Sequence, residues 1–251
     1  MTRQQLSQAA ERHHREMLEK YPPELYKSEI ISKDFTLDAI TCTKFPMEIA
    51  VTENDTVTEI LNHQYDEVFN VVAALNFASF TSPGGGFMQG MLAQEEGLCH
   101  YSNLYEVLSK QQAYYDYNKK HINSGAYENR AIFSYGIPFE KDGNQGFCDI
   151  ITCAAPNLYH YEQLASDKKP FDNSAVLKSR IKFILDIAES KCVDTLILGA
   201  WGCGAFSQNP VEVAFLFKEQ LEESDYLFGK VIFAIPPGEN YLAFDAVFNK
   251  A

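Results

Sequence analysis

Short apolar runs alternate with longer segments of helical period along the chain, and this predicts an α/β fold built as a three-layer α/β/α sandwich. The runs Val71–Phe77, Phe147–Cys153, Thr195–Leu198 and Lys230–Ile235 are nearly continuous in apolar residues. Strands covered on both faces read this way, so the sheet is expected to be mixed and mainly parallel. Its extent follows from 251 residues with 46% hydrophobic content, enough for one sizeable core, undivided by any low-complexity linker. A single domain over 1–251 is expected, with 1–46 as an N-terminal helical extension packed on the core.

Residues 5 to 20 place Leu6, Ala9, Ala10, His13, Met17 and Leu18 at helical spacing, which gives one docking stripe, and Pro22 and Pro23 stop the helix. His13 and His14 are adjacent and cannot face one metal from one side of a helix, so a surface helix is the reading. Ile30–Phe35 and Met47–Val51 read as short strands separated by a loop holding Thr41, Cys42 and Thr43. Thr56–His63 is a short helix with Asn54 and Asp55 as capping candidates. The order strand, helix, strand then suggests a right-handed crossover onto Val71–Phe77.

That strand ends in polar residues, Asn76 and Ser79, and ligands of open α/β sheets collect beyond the carboxyl ends of strands. A local turn is the alternative use of Asn76. Pro83 breaks the strand. Gly84, Gly85 and Gly86 then remove every β-carbon, so that a ligand can lie against backbone N–H groups, although a flexible loop would read the same way. Seven residues later come Gln94, Glu95 and Glu96 at a helix start. Consecutive helical residues point about 100° apart, so the two glutamates are expected in different environments with different roles. Favouring the positive end of the helix is what glutamates there would do in any protein.

The helical pattern continues through Leu104, Val107 and Leu108 toward Tyr114 and Tyr117, aromatics assigned to packing. Arg130–Phe139 and Phe147–Cys153 flank the turn-rich EKDGNQG, a strand connection or hairpin. Asn157, after Pro156, stands at a strand end and reads first as a turn residue. Ser174–Ser190 is a helix covering the sheet, with Asn173 or Ser174 as its cap. Thr195–Leu198 opens into Gly199–Phe206, and Asn209-Pro210 begins the helix Val211–Leu221. A glycine-rich turn between strand and helix fits an anion such as a diphosphate, since free amides and the helix dipole favour negative charge. Neither a GxGxxG fingerprint nor a Walker loop is present. Lys230–Ile235 is the last strand, ended by Pro236 and Pro237, and Tyr241–Phe248 a terminal helix.

The pattern GGG, seven residues, then QEE resembles the signature of poly(ADP-ribose) glycohydrolases. LNFAS before it, LCHYSNLY after it, IITCAAPNL at 150–158 and GAWGCGAF at 199–206 are similar to the microbial branch of that family. The resemblance implies a macrodomain-like fold and hydrolysis of the ribose–ribose O-glycosidic bond of poly(ADP-ribose). It implies Glu96 as general acid and then base, Glu95 orienting ribose hydroxyls, Gln94 and Asn76 supporting the sugars, and Gly84, Gly85 and Gly86 as substrate-binding. Gly202, Cys203, Gly204, Ala205 and Phe206 would cradle ADP-ribose, the loop on its diphosphate and Phe206 on its adenine. A core position is the alternative for Phe206. In the family the N-terminal region often wraps the core near the distal end of the cleft. No cofactor or metal is implied.

A formal charge of −13 argues against a nucleic-acid partner and makes a long polyanion an awkward one, unless backbone amides hold phosphate locally. Removal of single ADP-ribose units from proteins by the same pocket, and non-catalytic reading of ADP-ribose, are therefore carried as alternatives. The N-terminal segment has no signal-peptide core, and no apolar run of membrane-spanning length occurs, so a soluble, cytoplasmic protein is expected, with no membrane partner. Cys42, Cys99, Cys148, Cys153, Cys192 and Cys203 form no CxxC pair and read as reduced small hydrophobes.

Overall fold

The computed structural model describes residues 2–38, 46–63, 70–164 and 169–249. Thr41, Cys42, Thr43 and the loop assigned to them lie outside the described residues. Seven strands form one sheet: β1 (Ser28–Ile31), β2 (Glu48–Thr52), β3 (Val72–Phe77), β4 (Ala131–Lys141), β5 (Asn144–Cys153), β6 (Thr195–Leu198) and β7 (Lys230–Ala234), in the order β1-β4-β5-β3-β6-β7-β2. Among the described strands the pairs β5-β3, β3-β6, β6-β7 and β7-β2 are parallel, and β1-β4 and β4-β5 are antiparallel. The strand-helix-strand unit does end in this sheet, but β2 lies at its edge beside β7, with β6 and β7 between it and β3.

The helices are α1 (Arg3–Lys20), α2 (Thr56–Asn62), α3 (Gln94–His100), α4 (Leu104–Ser109), α5 (Gln112–Lys120), α6 (Leu158–Gln163), α7 (Asn173–Ser190), α8 (Pro210–Glu223) and α9 (Glu239–Phe248). Strand residues alternate between two cores, as the period of two requires. Ala73, Leu75, Leu196, Val231 and Phe233 pack with α7, α8 and α9. Val72, Ala74, Ile197 and Ile232 pack with α1 to α5 on the other face. The three layers follow directly from that alternation.

Local chemistry explains most boundaries. Asp142-Gly143, both at positive φ (53° and 82°), make the tight turn that closes the β4-β5 hairpin. Asp55 caps α2 by accepting from the Thr58 amide, and Asn157 caps α6 by accepting from that of His160. The cap of α7 is Asp172 rather than Asn173 or Ser174, and Asn173 instead exchanges side-chain hydrogen bonds with Gln208. The first strand is shorter than expected, because a turn from Ser32 to Phe35 follows Ile31 and sends Phe35 onto Phe183 of α7. The long helical pattern after Glu96 is three helices, interrupted where Ser102 bridges to Phe139 of β4.

On α1, Ala10 and Met17 are buried as expected, but Leu18 is exposed. The helix docks behind the glycine loop: Ser7 donates to the Met88 carbonyl at 2.7 Å and Arg3 to that of Gln89 at 3.1 Å. His13 and His14 are partly buried partners in this contact, one 2.9 Å from the Ser102 carbonyl and the other 2.8 Å from Glu106, rather than a free surface pair. Among the described cysteines, Cys99, Cys148 and Cys153 are buried, Cys203 is half-buried, and Cys192 is exposed, which departs from its reading as a small hydrophobe. No described helix is long and apolar enough to cross a membrane.

Candidate active site

The carboxyl end of β3 and the start of α3 carry one half of the site. Asn76 is fully buried and opposite Thr152 of β5, and its amide donates to Thr152 Oγ1 (3.3 Å) and Glu95 Oε1 (3.2 Å). The Ser79 amide holds the other Glu95 oxygen at 2.7 Å. Asn76 thus orients a carboxylate, and its Oδ1 has no partner among the described residues. Burial pushes the Glu95 carboxyl up to about 8; the neighbouring Glu96 charge adds to this, and the donors Ser79 and Asn76 oppose it.

Glu96 accepts from the Gly86 amide (2.7 Å, Oε1) and reaches back to the Ala93 amide (3.0 Å, Oε2) at the helix start, where Ala93 has no side-chain acceptor of its own. The glycine loop folds over both acids. Gly84 and Gly85 adopt left-handed φ values of 63° and 56°. A β-carbon on Gly85 would sit 2.6 Å from Glu96 Oε1 and 2.9 Å from Glu95 Oε2, so only glycine fits there. The expectation that the two glutamates lie in different environments is corrected accordingly: they leave α3 in different directions, yet both side chains are long enough to close on the same glycine.

Gln94 is held by the protein as well as facing the cleft. Its Oε1 accepts from the Phe77 amide at 2.8 Å, and its Nε2 donates to the Leu75 carbonyl and Thr56 Oγ1 at 2.9 and 3.2 Å. Its side chain therefore straps α3 to the end of β3, with its polar atoms spent on protein groups. It still lines the cleft beside the acids.

That cleft, about 780 Å³, opens beyond the carboxyl ends of β3, β6 and β7, the position expected for a parallel sheet. Gln94, Gly97, Leu98 and Tyr101 form one wall, at the spacing of one helix face; Gly202, Gly204, Ala205 and Phe206 form another; and Pro236 to Asn240 a third. Glu95, Glu96, Gly84–Gly86 and Cys203 are not among its lining residues. Cys203 turns its thiol toward the Trp201 carbonyl. Phe206 is half-buried at the cleft wall, so the core alternative does not hold.

The anion reading of this loop survives in altered form. At the start of α8, Pro210 has no N–H, the Asn209 side chain takes the amides of Val211 and Glu212, the Val213 amide bonds the Asn209 carbonyl, and Glu212 adds negative charge. The helix end is therefore already satisfied and is no anion site. Free donors lie one turn earlier, where the amides of Gly204, Ala205 and Phe206 meet no protein acceptor among the described residues. Among the described residues no three His, Cys, Asp or Glu side chains are grouped to hold a metal.

Sequence reasoning missed the Pro236–Asn240 wall, although the strand-end rule applied to Asn76 would have found it at the end of β7. It also missed the Ser79 amide as a holder of Glu95 and Tyr105 as the floor under Gly84, contacts with no local sequence signal.

Residues 4–142 match the microbial-type PARG catalytic domain. A search of curated proteins found no match. Among solved structures, the chain is similar to poly(ADP-ribose) glycohydrolase from Thermomonospora curvata, at 27% identity and TM-score 0.76 over 94% of this chain and 88% of that one. It is likewise similar to the enzyme from Deinococcus radiodurans in complex with ADP-ribose, at 33% identity and TM-score 0.73 over 82% and 85% of the two chains. The Thermomonospora curvata enzyme bound to the inhibitor ADP-HPD matches at 27% identity and TM-score 0.72 over 94% and 88%.

Proposed function

The chain belongs to the microbial-type poly(ADP-ribose) glycohydrolase family, and from that premise we propose how its own residues serve the reaction, hydrolysis of the ribose–ribose O-glycosidic bond of poly(ADP-ribose) to release ADP-ribose. The terminal ADP-ribose unit occupies the cleft, its adenine on Phe206 and its diphosphate against the amides of Gly204, Ala205 and Phe206. The scissile bond lies toward the Gly84–Gly86 loop. Glu96 donates a proton to the leaving ribose oxygen as the C–O bond breaks, through an oxocarbenium-like transition state. The resulting carboxylate then takes a proton from the water that attacks the anomeric carbon, which restores the acid.

The division of labour between the acids rests on how their oxygens are used. Glu95 is held on both oxygens by Asn76 and Ser79, and burial favours its neutral form, so it is assigned to holding the loop and the ribose hydroxyls in place. Glu96 is held only by two backbone amides at the mouth of the loop and keeps lone pairs for a substrate. The single observation that carries this reading is the closure of Gly85 on both carboxylates next to a cleft edged by free amides. Positive side chains are not needed for the diphosphate under this arrangement, which accommodates the acidic composition.

The cytoplasmic setting, polymer carried on modified proteins and the absence of nucleic-acid partners belong to this same proposal. Its test is turnover of purified poly(ADP-ribose) beside a mono-ADP-ribosylated protein. Release of ADP-ribose from the polymer is the expected result. Release from the monomer alone would replace the polymer by single protein-linked units, and tight binding with no turnover would make the site a reader.

A further inference from the structure

Tyr127, a residue the mechanism does not use, packs against both Phe80 and Phe206. Its ring stacks on Phe80, centroids 4.0 Å apart and planes 12° from parallel, and meets Phe206 edge-on at 6.3 Å and 66°. Phe80 is buried and adjacent to Ser79, whose amide holds Glu95. Phe206 is the wall on which the base is placed. One ring therefore touches both halves of the site.

The backbone at Tyr127 is held in the left-handed region, φ 60°, which a bulky residue adopts only when its surroundings impose it. Two contacts to Asn157 tie this segment down. The Asn157 side-chain amide donates to the Tyr127 hydroxyl at 3.4 Å, and the Asn157 backbone amide donates to the Gly125 carbonyl at 2.8 Å. The next amide, that of Leu158, donates to the Phe206 carbonyl at 3.0 Å, which fastens the same clamp to the binding loop.

Resting on the ADP-ribose reading above, we infer that Tyr127 is a positioning residue that couples occupation of the Phe206 wall to the placement of Glu95 by the Ser79–Phe80 segment. A base settling on Phe206 fixes the edge contact, the stack then fixes Phe80, and Ser79 presents its amide to Glu95. The polymer's adenine thereby contributes to turnover as well as to binding, because the same base that anchors a unit tightens the carboxylate cluster.

The test is a double-mutant cycle of Phe80→Leu and Phe206→Ala on kcat/KM for polymer hydrolysis, run in wild-type, Tyr127→Phe and Tyr127→Leu backgrounds, with thermal denaturation of each variant. Distant residues without a shared partner add within about twofold. With Tyr127 or Phe at 127 the pair should depart from additivity by about fivefold or more, and with Leu it should become additive. Tyr127→Leu should lower kcat as well as raise KM, and Tyr127→Phe, which keeps both ring contacts, should restore kcat. Additivity in the wild-type background overturns the coupling, and that arm decides the matter even if Tyr127→Leu fails to fold. If wild type does not hydrolyse the polymer, the functional reading falls separately. The coupling is then read by calorimetry with ADP-ribose: weakening by about fivefold in Phe80→Leu supports it, and unchanged affinity overturns it.

Discussion

The carboxylate cluster and the cleft adjoin at the start of α3, and they use their polar groups in opposite ways. In the cluster, Asn76, Ser79, Gly86 and Ala93 supply donors to two buried acids, and the glycine loop leaves no room for a β-carbon at Gly85. In the cleft, the amides of Gly204 to Phe206 meet no acceptor among the described residues, and the walls include Phe206, Tyr101 and two prolines. The first region is satisfied by the protein itself, so its geometry exists before substrate arrives. The second faces solvent and is open to a ligand. Electrostatic preorganisation of this kind belongs where the chemistry occurs, and unpaired donors belong where binding is to be gained. The two regions should therefore separate in their largest effects, the cluster on rate and the cleft on affinity, with the Tyr127 contact as the link between them.

The largest separation is expected from Gly85→Ala. The added methyl would enter the space between Glu95 and Glu96 and force a left-handed alanine, and a displacement near 1 Å can cost roughly 100-fold in rate. Turnover should fall by about that factor while ADP-ribose affinity, read by calorimetry, changes little. Phe206→Ala should act first on binding, weakening ADP-ribose affinity by roughly 1–3 kcal/mol, the scale of base–aromatic stacking, with the fold intact and a smaller loss of rate passed through Tyr127. Asn209→Ala should cost about 1 kcal/mol of stability in denaturant titration and leave ADP-ribose affinity unchanged, since its side chain serves α8 and not the ligand.

A further effect is on stability and concerns pH. The folded protein binds the Glu95 proton more tightly than the unfolded chain does, with a carboxyl near 8 against an ordinary value of 4.5. Its contribution to stability is therefore greatest below about pH 4.5, falls as pH rises toward about 8, and is level above that. Glu95→Gln should flatten the fall in Tm between these limits, whereas an unchanged pH profile would mean that Glu95 is ionised in the folded protein.

Much of the fold was legible because burial on both faces writes itself into the strands: Val72 to Leu75 serve two cores in alternation, and so do Leu196 to Leu198. The hairpin was legible from Asp142-Gly143, whose turn chemistry is local. What was not legible depended on reach across the fold. The sequence places Glu95 and Glu96 in different directions on a helix, and it cannot show that a loop ten residues earlier returns to meet both. Nor does it show that Asn209 consumes the helix end that seemed open to an anion, or that Gln94 spends its amide on β3. Tyr127 carried no signal at all, since its ring contacts are to residues 47 positions before it and 79 after it.

The most direct test of the division between chemistry and binding is Glu96→Gln, assayed for polymer hydrolysis and for ADP-ribose affinity in the same preparation. The substitution keeps size but cannot donate a comparable proton, and a positioned general acid contributes about 10²–10⁴-fold. A rate loss of at least roughly 100-fold with affinity within about twofold of wild type is predicted. Near wild-type turnover, or a loss of affinity matching the loss of rate, would contradict the assignment of the chemistry to Glu96 and of binding to the cleft.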